Sequence, residues 1–451
     1  MRSILAFLLL TLLGSSGAAV AQTEPTKLTL DQAREFALQN NITVLQSANS
    51  IDAAQARVLS AKGQWLPTLS ASGRWTRTQI DQAGQGSILV EGRLVDVPPI
   101  FSVNNYFSAG ISAGYTLFDG FARSNSVGSA VSRAQAANDA ANRTRQSTIF
   151  LVEQGYLDVL RNRALVTVSE ENLKRDERQL ERIVESNRVG ALSIADVYRQ
   201  QSQVASDELD LIRAQNNYET AKANLVALIG LDPTVEYEFE DASIRTDIDS
   251  LEIAQTRERY KDIDTLIVRA LQARPDYLAA QQELSAAADG VTVARSGYWP
   301  SIGAFASYGQ GNDEFSRLSD NKTLNWGIGF NWSLFDQFRT NEALENAQVS
   351  RRNAELALAQ AERDIGVEVK KALLDLDAAT KSVEVSRKAQ LSAQEDYKIA
   401  EERYNLGAGT LLDRLVANAS LVNAQATRVN AIAGYLITKF NLEYVIGERT
   451  Y

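Results

Sequence analysis

From Leu324 the chain alternates. Leu324, Trp326, Ile328, Phe330, Trp332 and Leu334 fall on one side, and Asn325, Gly327, Gly329, Asn331 and Ser333 on the other. A period of two held over about ten residues predicts a strand with one apolar and one polar face. Phe107, Ala109, Ile111, Ala113, Tyr115 and Leu117 alternate in the same way with Ser108, Gly110, Ser112, Gly114 and Thr116. Two more strands are expected upstream, in "LPTLSASGRWT" (66–76) and "WPSIGAFASYG" (299–309), each led by a proline that stops the helical run before it. Elsewhere the period changes. Residues 121–189 and 338–406 hold no proline, and Leu358, Ala361, Ile365, Val369, Ala372, Leu376, Ala379 and Val383 recur at intervals of three and four. That is the apolar seam of a coiled coil, rich in small residues that let helices approach closely. At ~1.5 Å per residue each run extends on the order of 100 Å. Shorter helical runs are expected at 37–64, 193–229, 270–298 and 410–446.

The pattern also repeats. "TLFDGFARSN" (116–125) returns as "SLFDQFRTN" (333–341), and Phe118 and Phe335 stand 217 residues apart. "NRVGALSIAD" (187–196) returns as "YNLGAGTLLD" (404–413), and "LVALIG" as "LEYVIG", at the same offset of 217. One offset held three times marks an internal duplication. Pro67 and Pro300 are instead 233 apart, so the first half carries 16 more residues between its strands, within 81–105. An insertion there reads as an exposed loop at a hairpin tip.

The strands and seams are compatible with a soluble sheet packed on a core, so the chain's first residues matter. Arg2, the apolar "ILAFLLLTLLG" and Ala19-Val20-Ala21 have the order of a secretory signal, which places the mature start at Gln22. Its apolar stretch is shorter than the ~20 residues a spanning helix needs. No cysteine stands at the cleavage region to carry a lipid anchor. Beyond it no run approaches 18 consecutive apolar residues, so a membrane crossing would require a closed β-barrel. Four strands are too few, since the smallest membrane barrels use about eight. Three copies would supply twelve.

Composition narrows the chemistry. The chain has no cysteine and no histidine, which removes thiolate sites, the commonest metal ligand and the commonest general base. It shows no phosphate-binding glycine loop, and no carboxylate pair stands out as catalytic. A non-enzyme without cofactor or metal is expected. Without Arg2 the mature chain holds 45 basic and 56 acidic residues, 45 − 56 = −11, which disfavours nucleic acid as a partner. Residues 232–264, with eleven acidic and four basic side chains and an alternating "VEYEFE" (235–240), read as a connector or a docking surface.

The two matching turns have a local explanation. Gly190 and Gly407 end the long helices, where a left-handed C′ residue favours glycine. Ser193 and Thr410 stand three residues before Asp196 and Asp413, the spacing of a capping box.

Taken in order, these features resemble the TolC-type outer-membrane efflux proteins over essentially the whole mature chain. The resemblance rests on the signal, the duplicated halves, the Pro-led strands, the "LFDGF" and "LFDQF" junctions, and the "GxxSxxD" and "GxxTxxD" turns. It implies an α+β fold: a membrane β-barrel with four strands per protomer, twelve in a homotrimer, continued by a long α-helical coiled-coil barrel across the periplasm. The expected divisions are a signal peptide (1–21), a first efflux repeat (22–230), an acidic linker (231–264) and a second repeat (265–451). The implied function is a passive exit duct in outer-membrane lipid, fed with drugs, small molecules or polypeptides by an inner-membrane transporter and a periplasmic adaptor. The alternatives are an outer-membrane diffusion porin, which has no use for 100 Å helices, and a secreted coiled-coil structural protein, against which the alternating strands and twofold repeat argue. In this family the turns form a periplasmic tip that closes the tunnel. Asp413 matches a position whose carboxylates ring the pore. Val416 stands where a second acidic ring can occur, so one ring is expected here. Tyr404 and Asp196 match residues that latch adjacent helices, and Gly409 takes the place of an arginine latch.

Overall fold

A computed structural model describes residues 26–84, 86–96, 99–240, 248 and 250–448. The expected signal peptide, its cleavage site and the new start at Gln22 lie outside the described residues.

Four strands form one antiparallel sheet. They are β2 (Thr68–Gln82), β5 (Ile100–Phe118), β7 (Ser301–Asn312) and β8 (Lys322–Asn331), in the order β2-β5-β7-β8. The β5–β7 pairing joins the two halves, with Ile111 opposite Tyr308 and Gly114 opposite Phe305. Register places Leu69, Ile111, Ala304 and Ile328 on one face and Ser70, Ser112, Ser307 and Asn325 on the other. The apolar face is not covered: Leu69, Trp75, Ile111, Leu324, Trp326, Ile328 and Phe330 are all exposed. β2 and β8 are edges, each paired on one side only.

The inserted segment corrects the expected loop. β2 and β5 run on past the predicted ends, and a second hairpin, β3 (Ser87–Val90) and β4 (Arg93–Asp96), caps them. Its turn, Glu91-Gly92, has both residues at positive φ, 49° and 81°, the geometry that matches the twist of a two-residue hairpin.

Each strand of the four-stranded sheet joins a helix. α1 (Leu30–Asn40) and α2 (Ile42–Gly63) precede β2, and α3 (Ala122–Arg188) follows β5 and returns as α4 (Ile194–Leu228). In the second half α6 (Ile263–Ala273) and α7 (Pro275–Arg295) precede β7, and α8 (Arg339–Asn405) follows β8 and returns as α9 (Leu411–Val445). The connector holds β6 (Tyr237–Phe239), parallel to β1 (Thr26–Leu28), and α5 (Ser250–Arg259). Two predicted runs differ from these elements. The run expected at 37–64 starts earlier, behind the Thr29/Gln32 capping box, and breaks at Asn41, whose Oδ1 accepts from the amides of Thr43 and Val44. The run expected at 270–298 breaks before Pro275, which takes the first helical position, where its missing N–H costs nothing.

Those breaks line helices up end to end. Asn41 Nδ2 donates to the Leu228 carbonyl at 2.8 Å, where α4 ends, and Arg274 Nη1 donates to the Val445 carbonyl at 3.3 Å, where α9 ends. The chain therefore presents four helical columns: α3, α8, α4 followed by α2, and α9 followed by α7. Matching cores in the two halves hold them. Val152, Leu225 and Ile229 are buried in the first half, and Val369, Leu442 and Ile446, 217 residues on, are buried in the second. Each such aliphatic side chain contributes roughly 1.5–3 kcal/mol by leaving water. The expected seam is confirmed on α8 by the burial of Ile365, Val369, Ala372, Leu376 and Val383.

The "LFDxF" repeats make the strand-to-helix corner. Gly120 and Phe121 both take positive φ, as do Gln337 and Phe338. Two left-handed residues in succession swing the chain from the sheet into the helix. The aspartate then caps it: Asp119 accepts from the Arg123 amide at 3.2 Å and Asp336 from the Thr340 amide at 2.8 Å.

Candidate functional site

At the far end of the long helices, α3 turns into α4 and α8 into α9. Gly190 and Gly407 have φ of 77° and 72°. The amides of Ala191 and Ala408 reach back to the carbonyls of Ser186 and Arg403 at 2.8 Å in both turns, a Schellman closure that explains the paired glycines.

The return helices start differently. Thr410 and Asp413 form the complete capping box: the Asp413 amide donates to Thr410 Oγ1 at 3.1 Å, and the Thr410 amide to Asp413 Oδ2 at 3.0 Å. The Thr410 amide, and then the Thr410 hydroxyl at 2.8 Å, donate to the Asp413 carboxyl and hold it below its usual range. Ser193 departs from the expected box. Its hydroxyl accepts from the Ala195 amide at 3.1 Å, while Asp196 instead pairs with Arg199 at 3.1 Å, three residues along the helix. The guanidinium takes the carboxylate away from the cap.

Asp413, Leu412 and Val416 are exposed on one side of the first turns of α9. Tyr404 packs with Ile183, Val197 and Leu411 across the two turns. Its hydroxyl is buried beside Gln179, and burial, then the nearby Asp196 charge, push it above its usual value. Tyr404 and Asp196 are thus neighbours within one chain, with no direct bond between them. At Gly409 a Cβ would come within 3.2 Å of Arg403 Cβ, so a larger residue there needs the turn to shift. A groove of about 850 Å³ runs between the two turns, lined among others by Arg182, Glu185, Leu192 and Tyr404.

Inward of the turns lies a polar cluster that the sequence reading missed. Arg414 is fully buried; its Nη1 donates to Asp176 Oδ1 of α3 at 3.1 Å and its Nη2 to the Tyr397 hydroxyl of α8 at 3.2 Å. Asn418 Nδ2 donates to Asp176 Oδ2 at 3.0 Å and to Asn172 at 2.9 Å. Gln200 of α4 donates to the Asp176 side chain at 3.2 Å. The available signal was spacing: Arg414 and Asn418, like Asn172 and Asp176, stand four residues apart where an apolar seam should run.

The sequence signature described as "Outer membrane efflux protein" matches residues 33–231 and again 266–448. The chain is 24% identical to outer membrane protein TolC of Vibrio cholerae serotype O1, across 99% of this chain and 96% of that protein. It is 25% identical to the pyoverdine export outer membrane protein OpmQ of Pseudomonas putida, across 88% and 81%. Among solved structures, VceC of Vibrio cholerae superposes with a TM-score of 0.75 at 21% identity, covering 93% of this chain and 96% of that one. The CmeC channel of Campylobacter jejuni gives 0.74 at 18%, covering 97% and 93%. At such identities the structural likeness establishes the fold.

Proposed function

This chain belongs to the outer membrane efflux protein family, a family of outer-membrane ducts and not of enzymes, and from that premise we propose that three copies assemble into one exit duct. The observation that carries this reading is a sheet with an uncovered apolar face and two free edges, continuous with helices on the order of 100 Å long. An apolar strand face is stable against lipid, and free edges in lipid must be paired, because no water is present to satisfy them. β2 of one copy pairs with β8 of the next, and twelve strands close. The helical columns carry the passage into the periplasm, where an inner-membrane transporter and a periplasmic adaptor deliver cargo. Relatives are named for the export of pyoverdine, toluene or antibiotics. The lining of Ser, Gly, Thr and Asn selects none of these.

The α3–α4 and α8–α9 turns form the closing tip in this reading. Asp413 and Val416 face the axis, three Asp413 carboxylates make one anionic ring, and Tyr404 with Asp196 restrains the helices behind it. Exposure of Asp413 on the side opposite the buried Arg414 supports this placement. Native mass measurement of the detergent-extracted outer-membrane protein is expected to give three chains, and a monomer would overturn the assembly. In planar bilayers the resting duct is expected to conduct little and to prefer cations. Asp413→Asn should weaken that preference and leave the trimer intact. If selectivity is unchanged, Asp413 serves only as a helix cap.

A further inference from the structure

Four helices meet at Asp176. Its carboxylate receives Arg414 and Asn418 from α9 and Gln200 from α4, and Arg414 carries the link on to Tyr397 of α8. Asp176, Gln200 and Arg414 have no exposed surface at all. A second buried carboxyl, Asp207 of α4, lies within hydrogen-bonding reach of the first. Gln203 donates to its Oδ1 at 2.9 Å, while its buried Oδ2 has no N–H or O–H donor among the described residues. An unprotonated oxygen aimed at another carboxylate in a dry core is repelled; a protonated one donates a hydrogen bond to it.

The duplication shows that this arrangement is not demanded by the fold. At the 217 offset, Asp176, Asn172 and Asp207 correspond to Ala393, Ala389 and Ala424, while Arg414 and Tyr397 correspond to Val197 and Leu180. Val197 and Leu180 pack as ordinary apolar neighbours. The first-half hairpin fills the equivalents of Arg414 and Tyr397 with aliphatic side chains, and the second-half hairpin fills the equivalents of both acids with alanine. Only where the two hairpins meet does the chain bury two acids against one arginine, which costs desolvation and is weak evidence for stability as such.

We propose that Asp176, Asp207 and Arg414 form a proton-operated clamp that holds the α8–α9 hairpin, and with it Asp413 and Val416, against α3 and α4. With one proton shared between the acids, a single negative charge meets the Arg414 guanidinium and every contact is attractive. Without it two carboxylates face each other across α3 and α4, and the four-helix junction loosens. The charged and titratable groups around the pair are Arg175 on α3, Asp210 on α4, Tyr397 and Glu401 on α8 and Arg414 on α9. Burial, and then the Asp176 carboxyl, push Asp207 from its ordinary 3.8 up to about 7. The closed clamp therefore holds one proton more than the open one between those values. Its stability is full below about 4, falls as pH rises toward 7, and is level above, by up to about tenfold in the open-to-closed ratio per pH unit. Asp413, shifted the other way, titrates below this window.

The positioning role has a readout that a merely structural one would not move. Amide exchange of residues 194–210 and 411–420 in the detergent-extracted protein, corrected for intrinsic rates, is expected to quicken from pH 4.5 to 7 and then level. Asp207→Asn, which keeps a donor toward Asp176 at every pH, should abolish that dependence and stay protected. Asp207→Glu should restore it. A flat wild-type profile, or an Asp207→Asn profile equal to wild type, overturns the clamp. Exchange requires no conduction, so this result stands apart from the duct reading on which the clamp's consequence rests. In bilayers the resting conductance should rise over the same pH window and be constant in Asp207→Asn; an unchanged rise in that variant refutes the link to gating.

Discussion

Replacing Ile328 by Arg tests which solvent the sheet faces. The exposed apolar stripe of β8 and its end runs from Leu324 to Trp332, and Ile328 is its midpoint. Eight steps of about 3.3 Å, tilted by about 45°, span roughly 19 Å along a membrane normal, so Ile328 lies near mid-depth with about 9 Å of hydrocarbon on each side. Arg at that depth costs ~2–4 kcal/mol per chain, or about 6–12 kcal/mol for three copies if the sites are independent. The same change one residue on gives the control. Gly329 lies on the opposite face, where a Cβ would meet only the Gly303 carbonyl at 3.9 Å, so Gly329→Arg puts the charge where water is expected. Both variants can be followed by fractionation and by urea unfolding after reconstitution into vesicles. Ile328→Arg should fail to accumulate in the outer membrane or unfold at clearly lower urea, and Gly329→Arg should insert. Equal behaviour of the two refutes the lipid-facing assignment. In that case the apolar face covers a protein partner.

Two further outcomes follow from local geometry. Thr410→Val removes the acceptor for the Asp413 amide, and amides in the first turn of α9 should exchange about fivefold faster, the loss of one N-cap; unchanged exchange shows that tertiary contacts alone hold that turn. Leu89→Cys places a lone thiol on the exposed β3–β4 hairpin, in a chain without cysteine, and should label on intact cells; an unlabelled but assembled protein places the hairpin away from the outside.

What could be read from the sequence was what repeats. Period-two alternation at 107–117 and 324–334 located strands because each face meets one solvent, and the two long helices came within a residue or two because no proline interrupts them. The breaks at Asn41 and Pro275 were missed for the same reason: a cap inside an apolar run changes local hydrogen bonding and leaves the periodicity intact. The β3–β4 hairpin was missed because it occurs once. Pairing of β5 with β7 could not be read, since a ladder between residues some 200 apart leaves no mark on either strand. At the tip, glycine spacing revealed both turns, and the Thr410–Asp413 box could be inferred because it is closed by neighbours in sequence. The identical spacing misled at Ser193, where Arg199 competes for Asp196. The Asp176–Arg414 pair was invisible for a further reason. It joins two halves of a duplication at positions where the halves differ, and a search for sameness passes over it.

In the proposed assembly, the numbers of strands and helices favour a closure at the tip. Every strand of the sheet continues from or into one helical column, α2 into β2, β5 into α3, α7 into β7 and β8 into α8, so any number of copies gives equal numbers of each. Two copies would close eight strands, a ring about 16 Å across at the backbone, just wide enough for side chains to fill. Three copies give about 24 Å, so three is the smallest assembly with a passage. Helices pack about 10 Å apart, against roughly 6 Å of perimeter for a tilted strand, so the twelve columns enclose a wider ring, near 38 Å. A tube that widens on leaving the membrane cannot be shut by its strands or by its upper helices. It can be narrowed only where the columns end and the side-by-side pairs converge, at the α3–α4 and α8–α9 turns. There the chain places the exposed acid Asp413 in the first turn of α9, and farther along the helices two buried acids and an arginine. In the proposed duct the columns set where the constriction lies, and the proposed clamp at Arg414, where the repeats differ, sets how firmly it is held.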